Sequence, residues 1–197
     1  MQAAFTKIYD KQVWKNGSGV GSTPHYNEFY MNFLHGFLKE KSIKTVLDIG
    51  CGDWQFSKFI DWTGIDYNGI DVVQHVVDYN NDHYGRENIK FFNMDATITK
   101  LPGEFDLVII KDVLQHWSNE TIIEFMNKLI KQGHKHILIT NTATSNFYKN
   151  TNKGINRSID NKYHYAKLDA TDYPLNQFNL TVVGKYKYKQ ISLISST

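Results

Sequence analysis

The chain has 197 residues, 41% of them apolar and 14% aromatic, with a formal net charge of +2. This composition excludes a disordered or low-complexity polymer and is sufficient for one domain with a substantial core. The near-neutral balance demands neither nucleic acid nor an acidic partner, and a single cysteine, Cys51, excludes an intrachain disulfide framework and fits a reducing compartment.

Met1 to Asp10 contain no apolar signal core, and no run approaches about 18 apolar residues, so a soluble, cytoplasmic protein is expected. Residues 15–22 are polar and glycine-rich. Thr23 can cap a helix whose first position suits Pro24, and Tyr26, Phe29, Tyr30, Phe33, Leu34, Phe37 and Leu38 then recur with a 3.6-residue period. Short apolar runs alternate with amphipathic stretches from there on. Thr45–Ile49, Tyr67–Val72, Ile89–Phe92, Phe105–Ile110 and His136–Thr140 read as strands; Trp54–Ile60, Gln74–Tyr84 and Asn119–Lys131 read as helices. Such alternation predicts a doubly wound α/β fold with a parallel sheet. Two late runs, Leu180–Val183 and Gln190–Ile194, have no helix between them and should pair antiparallel, giving about seven strands with an antiparallel end. The expectation is one domain over residues 1–197, with residues 141–172 as a polar lid.

The chemistry centres on the first strand. Val46-Leu-Asp-Ile-Gly-Cys-Gly52 is an apolar run that ends at an acid and enters a glycine turn. Gly50 and Gly52 permit a tight turn and close approach of backbone to a ligand. Asp71 and Asp95 follow the second and third strands at near-equal intervals. Ligands of open α/β sheets sit at the carboxyl ends of the strands. There Asp71 can accept two ribose hydroxyls and Asp95 an adenine amino proton. A dinucleotide would want Gly-x-Gly-x-x-Gly, but Asp53 puts negative charge where a pyrophosphate would rest, and Gln55 replaces the third glycine. An adenosine ligand without phosphates fits better.

These segments resemble the class I S-adenosylmethionine-dependent methyltransferases. The likeness rests on Val46-Leu-Asp-Ile-Gly-Cys-Gly-Asp-Trp54, Gly69-Ile-Asp-Val72, Asn93-Met-Asp-Ala96 and Phe105-Asp-Leu-Val-Ile-Ile-Lys-Asp-Val-Leu-Gln-His116. It implies S-adenosylmethionine as cofactor and S-adenosylhomocysteine as product. It places the cofactor against Asp48, Gly50, Cys51, Gly52 and Trp54, with ribose on Asp71 beside Val72 and adenine on Asp95 beside Ala96; Lys111 borders the methyl group. Trp54 departs from the third glycine common in the family. Trp14 and Gly19 belong to an N-terminal segment (residues 1–40) that resembles a cofactor-covering piece of some small members.

His116 is the first candidate for a base that takes a proton from a hydroxyl acceptor, because histidine titrates near neutral pH; an ordinary loop histidine is the alternative. Asp112 is the second candidate, or else a contact to the cofactor amine or a cap. Trp117 could wall the acceptor or pack in the core. His134 and His136 read as surface histidines at the far end of the fifth strand, and no cluster argues for a metal. His164, between Tyr163 and Tyr165, could touch substrate from the lid. Lys185, Lys187 and Lys189 alternate with Tyr186 and Tyr188, a pattern that suits single-stranded nucleic acid but is better explained by a hairpin with solvated lysines. The resulting expectation is an O-methyltransferase acting on a sugar or glycan precursor, with a small-molecule amine, RNA, or a non-catalytic adenosyl-binding role as alternatives. A monomer or homodimer is expected, with no membrane partner.

Overall fold

The computed structural model describes residues 2–143 and 167–196. Its seven strands form a mostly parallel sheet that is antiparallel at one end, the doubly wound α/β class expected from the alternation. The chain divides into two compact units, Met1–Asp95 and Ala96–Thr197.

The first unit opens with α1 (Gln2–Asp10), a helix that no periodic run in the sequence signals. The helix expected from Thr23 begins instead as a short 3-10 turn at His25–Asn27 and becomes α2 at Glu28–Glu40. Tyr30, Leu34, Phe37 and Leu38 form its buried stripe, the positions the period picked out. Strands β1 (Thr45–Ile49), β2 (Asp66–Asp71) and β3 (Ile89–Asn93) are parallel in the order β3-β2-β1, with α3 (Gln74–Tyr84) crossing from β2 to β3.

The helix expected over Trp54–Ile60 is not formed. Only a 3-10 turn at Ser57–Phe59 appears, because Trp54 takes a positive φ of 56° that an α-helix cannot use. Burial explains the geometry. The Trp54 indole is 4% exposed and packs 5.5 Å from Tyr67 and 5.3 Å from Phe91, while Trp62 lies 4.6 Å from Tyr67. An aromatic cluster of this size outweighs the local preference of a seven-residue stretch.

The second unit holds β4 (Leu107–Lys111), α4 (Asn119–Lys131), β5 (His136–Thr142), β6 (Thr181–Tyr186) and β7 (Lys189–Ser195), with strand order β4-β5-β7-β6. β4 and β5 are parallel, whereas β7 runs antiparallel to both β5 and β6. β4 is buried along its whole length, as expected of a parallel strand covered on both faces. Ile122, Phe125, Met126 and Leu129 bury the inner stripe of α4, and the Ser118 side chain caps its start by accepting from the Thr121 N–H at 3.2 Å. Ser118→Ala should therefore lower stability by about 1 kcal/mol, read as a lower urea midpoint with an unchanged slope.

Candidate functional site

In the first unit the glycine turn is fixed by β2. Gly50 and Gly52 have φ of 71° and 57°, values that strain any residue with a Cβ. The Gly50 and Cys51 amides both donate to the Ile70 carbonyl, at 2.8 and 3.0 Å. The Gly52 amide donates to Asp71 Oδ2 at 3.1 Å, and Val73 N–H donates to Asp71 Oδ1 at 3.0 Å. The Asn80 side chain closes the arrangement by donating to the Gly52 carbonyl at 2.7 Å. Asp71 thus anchors the turn and still offers acceptor lone pairs. Burial pushes its carboxyl above the usual range, against the lowering effect of the amides.

The other strand-end acids differ. Asp48 is buried and accepts the Tyr67 hydroxyl at 2.6 Å, which fixes the end of β1. Asp95 follows β3 and is half-buried, as are Val72 and Ala96 beside the two acids. Burial, followed by the charges of Asp71 and Asp48, pushes the Cys51 thiol well above its usual value, so it is protonated and not a nucleophile.

The N-terminal segment packs over this turn. Tyr9 and Ser18 share a 2.5 Å hydroxyl–hydroxyl hydrogen bond. Asp53 N–H donates to Ser18 Oγ at 3.0 Å, and Ser18 N–H donates to Asp53 Oδ2 at 3.2 Å. Gln55 Nε2 bridges the Asn16 carbonyl and Asp53 Oδ2, at 2.6 and 2.7 Å. Trp14 meets Phe5 and Tyr9 edge-on, and a Cβ on Gly19 would sit 3.3 Å from Trp14 Cβ. Nothing in the sequence marks Tyr9, Ser18 and Asn80, because isolated polar residues carry no periodic signal.

In the second unit the polar groups gather at the carboxyl ends of β4 and β5. Lys111, the last residue of β4, is buried, and its ammonium donates to Asp112 Oδ2 at 2.7 Å. Asp112 has a positive φ of 62°. Its second oxygen, Oδ1, takes the ammonium of Lys189 at the start of β7. Burial alone would raise the Asp112 carboxyl, but the two lysines override it and hold it far below the usual range. Asp112 is therefore an anion tied to two cations and a poor base. His116 lies in a 3-10 turn after β4, and burial pushes its imidazole down to about 4, with Lys189 adding to the effect and Asp112 opposing it. The expectation that it titrates near neutral pH is not met: the ring is neutral throughout the physiological range.

Two further expectations are corrected, and one open choice is decided. Lys189 is not a solvated hairpin lysine but 4% exposed; Lys185 and Lys187 are exposed. His134 is buried rather than at the surface, where its Nδ1 accepts the Phe105 N–H at 3.1 Å. Trp117 is 4% exposed with its ring 4.9 Å from Phe125, which is the core position of the two roles open to it. The stretch 144–166, with His164, Tyr163 and Tyr165 of the expected lid, lies outside the described residues. Among the described residues no group of three His, Cys, Asp or Glu side chains is placed to hold a metal. No helix there is long and apolar enough to cross a membrane.

Residues 47–138 match the family model described as a methyltransferase domain. A curated relative, the ubiquinone biosynthesis O-methyltransferase of Rickettsia bellii (strain OSU 85-389), is 26% identical over 125 residues, which cover 60% of this chain and 51% of the relative. The chain spans about half the length of the curated relatives it matches. Among solved structures, the magnesium protoporphyrin IX methyltransferase of Synechocystis PCC 6803 with bound SAM aligns over 100% of this chain and 97% of its own, at a TM-score of 0.65 and 17% identity. The N-methyltransferase NodS of Bradyrhizobium japonicum WM9, with bound S-adenosylhomocysteine, aligns over 96% of this chain and 97% of its own, at a TM-score of 0.69 and 12% identity. The chain thus has the fold of S-adenosylmethionine-dependent methyltransferases.

Proposed function

We propose that the chain is an S-adenosylmethionine-dependent methyltransferase that methylates an oxygen acceptor. The observation that carries the reading is the Asp71 carboxylate, half-buried at the end of β2 and bonded to the Gly52 amide of the glycine turn. A carboxylate fixed by backbone amides is pre-organised to accept paired ribose hydroxyls. The site residues fit the cofactor on chemistry as well. The positive-φ glycines bring backbone close to a ligand, and acceptor-only Asp71 and Asp95 suit the donors of a nucleoside. Asp53, engaged with Ser18 and Gln55, argues against a phosphate there. Trp14, Gly19 and the Tyr9–Ser18 contact serve as a cover over the turn.

Bound S-adenosylmethionine supplies a methyl group already activated on a sulfonium. The protein then has to orient the acceptor and manage its charge. Lys111, Asp112 and His116 supply that part in the second unit, at the strand ends where ligands of this class bind. The name of the Rickettsia relative favours oxygen, whereas NodS keeps nitrogen as the second reading. The sugar or glycan acceptor expected from the polar stretch 141–172 has no support in the described residues. Calorimetry on the full chain should give saturable binding of S-adenosylhomocysteine at one site per chain. Absence of binding, with the protein folded, would refute the function.

A further inference from the structure

We propose that Lys189, at the start of β7, is the cationic anchor for an acceptor presented as an oxyanion, a phenolate or a carboxylate, with Thr140 and Thr142 as hydroxyl partners. The inference rests on the methyl-transfer reading and names the acceptor class for it.

The register of the second unit places these groups together. Thr140 and Thr142, two apart in β5, share one face of the sheet. Lys189 is the antiparallel partner of Thr142, and Lys111 the parallel partner of Thr140, so both lysines lie on that face. Lys189 and Lys111 reach the two oxygens of one carboxylate, Asp112. All of this sits at the carboxyl end of β4 and β5, where the neighbouring strand interiors (Val108 to Ile110, Ile137 to Ile139) are wholly apolar.

Two unbonded hydroxyls and one incompletely used ammonium share that face. The hydroxyl oxygens of Thr140 and Thr142 are buried and make no hydrogen bond, with residue exposures of 0% and 1%. The Lys189 ammonium has three donors, and its hydrogen bond is to Asp112. A buried polar group left unbonded costs about 1–3 kcal/mol, so two in one place, beside an ammonium with donors to spare, call for a partner. An ammonium only donates, and hydroxyls can donate; the partner that satisfies all of them is acceptor-only. That description fits an oxyanion and does not fit an amine acceptor, whose single lone pair must attack the methyl group and cannot also accept from the ammonium.

The chemistry closes without a base. The acceptor gives its proton to solvent before it binds. Its oxygen lone pair forms the new O–C bond as the C–S bond breaks and that electron pair stays on sulfur, so the negative oxygen and the positive sulfonium neutralise each other. This agrees with an Asp112 that is tied to two lysines and a His116 that is too weak to act as a base near neutral pH. The groups facing Lys189 are Asp112, Lys111, His116 and the Tyr188 ring. Burial first, and Lys111 next, push its ammonium down to about 8 against the pull of Asp112, so it is charged at neutral pH and loses its charge in mild alkali.

The test uses the full chain saturated with S-adenosylhomocysteine and two chromophoric probes, 4-nitrophenol and 4-nitrobenzoate. Binding of either anion, weakened at least about 30-fold in Lys189→Met while S-adenosylhomocysteine affinity is kept, supports the proposal; the probe that binds says whether phenolate or carboxylate is taken. Binding of neither, or equal binding by the variant, overturns it and leaves the methyltransferase reading intact. Failure of the wild type to bind S-adenosylhomocysteine fails that reading, and this inference falls with it. Should Lys189→Met not fold, the wild type decides: affinity for the ionised probe must fall as pH rises through about 8, and a flat profile overturns the assignment.

Discussion

Asp71→Ala is expected to weaken S-adenosylhomocysteine binding about 100-fold, the loss of charge-assisted hydrogen bonds to two ribose hydroxyls. The carboxylate has a second duty, since it holds the Gly52 and Val73 amides at 3.1 and 3.0 Å. Part of the loss will therefore come from a loosened turn. Asp71→Asn separates the two effects. Its amide oxygen still accepts from one backbone N–H, but its NH2 donates where a ribose hydroxyl would donate. If nucleoside recognition is the main duty, Asn should bind nearly as weakly as Ala while melting closer to wild type. If the carboxylate is only a brace for the turn, affinity will follow melting temperature across both variants, and wild-type affinity in a variant with a lowered melting temperature would remove Asp71 from the cofactor site. Calorimetry and thermal unfolding on the same samples give both readouts.

Much of the fold was legible because it rests on local, periodic signals. Gln74–Tyr84, Asn119–Lys131 and Thr45–Ile49 form where the sequence places them; in Asn119–Lys131 the apolar face of Ile122, Phe125, Met126 and Leu129 is itself the signal. The acids Asp71 and Asp95 were legible because a parallel strand is a short apolar run, and a charge at its end marks where the ligand edge begins. What was not legible depends on contacts distant in sequence. Trp54 reads as the start of a helix until Tyr67 and Phe91 are placed beneath it. Lys189 is one of three lysines in an alternating run. Alternation correctly predicts exposed Lys185 and Lys187, but β7 also pairs with β5, so its first residue is carried into the interior to meet Asp112, 77 positions away. His134 is a similar case: its burial is set by the Phe105 backbone that it accepts from. The signal that could have flagged Lys189 is its place at the start of a strand that is otherwise apolar at alternate positions, which marks a central strand rather than an edge.

Asp112→Ala should be the most destabilising single change in the second unit, at about 3–5 kcal/mol, because it leaves two buried ammonium groups without their shared counter-ion. Alanine also tolerates a positive φ less well than aspartate, which adds to the loss. Asp112→Asn should recover part of it through backbone tolerance and one acceptor oxygen. Urea unfolding at neutral pH reads the difference, and a loss within about 0.5 kcal/mol, the range of an ordinary surface substitution, would show that the lysines find other partners. The pH dependence checks the same cluster by another route. The folded-state carboxyl of Asp112 lies below its unfolded value, so its contribution is complete above the ordinary aspartate range and is lost as pH falls into strong acid. Lys189 runs in the other direction. Its folded value is lowered from 10.5 to about 8, so below 8 the folded state carries the whole penalty of a buried charge. Between 8 and 10.5 the unfolded chain keeps a proton that the folded chain has released, and stability rises with pH by about 3 kcal/mol relative to Lys189→Met. A wild type that gains nothing over that variant in this window would mean that the Lys189 ammonium is solvated, and the Lys111–Asp112–Lys189 cluster would lose its standing as an acceptor site as well as a structural one.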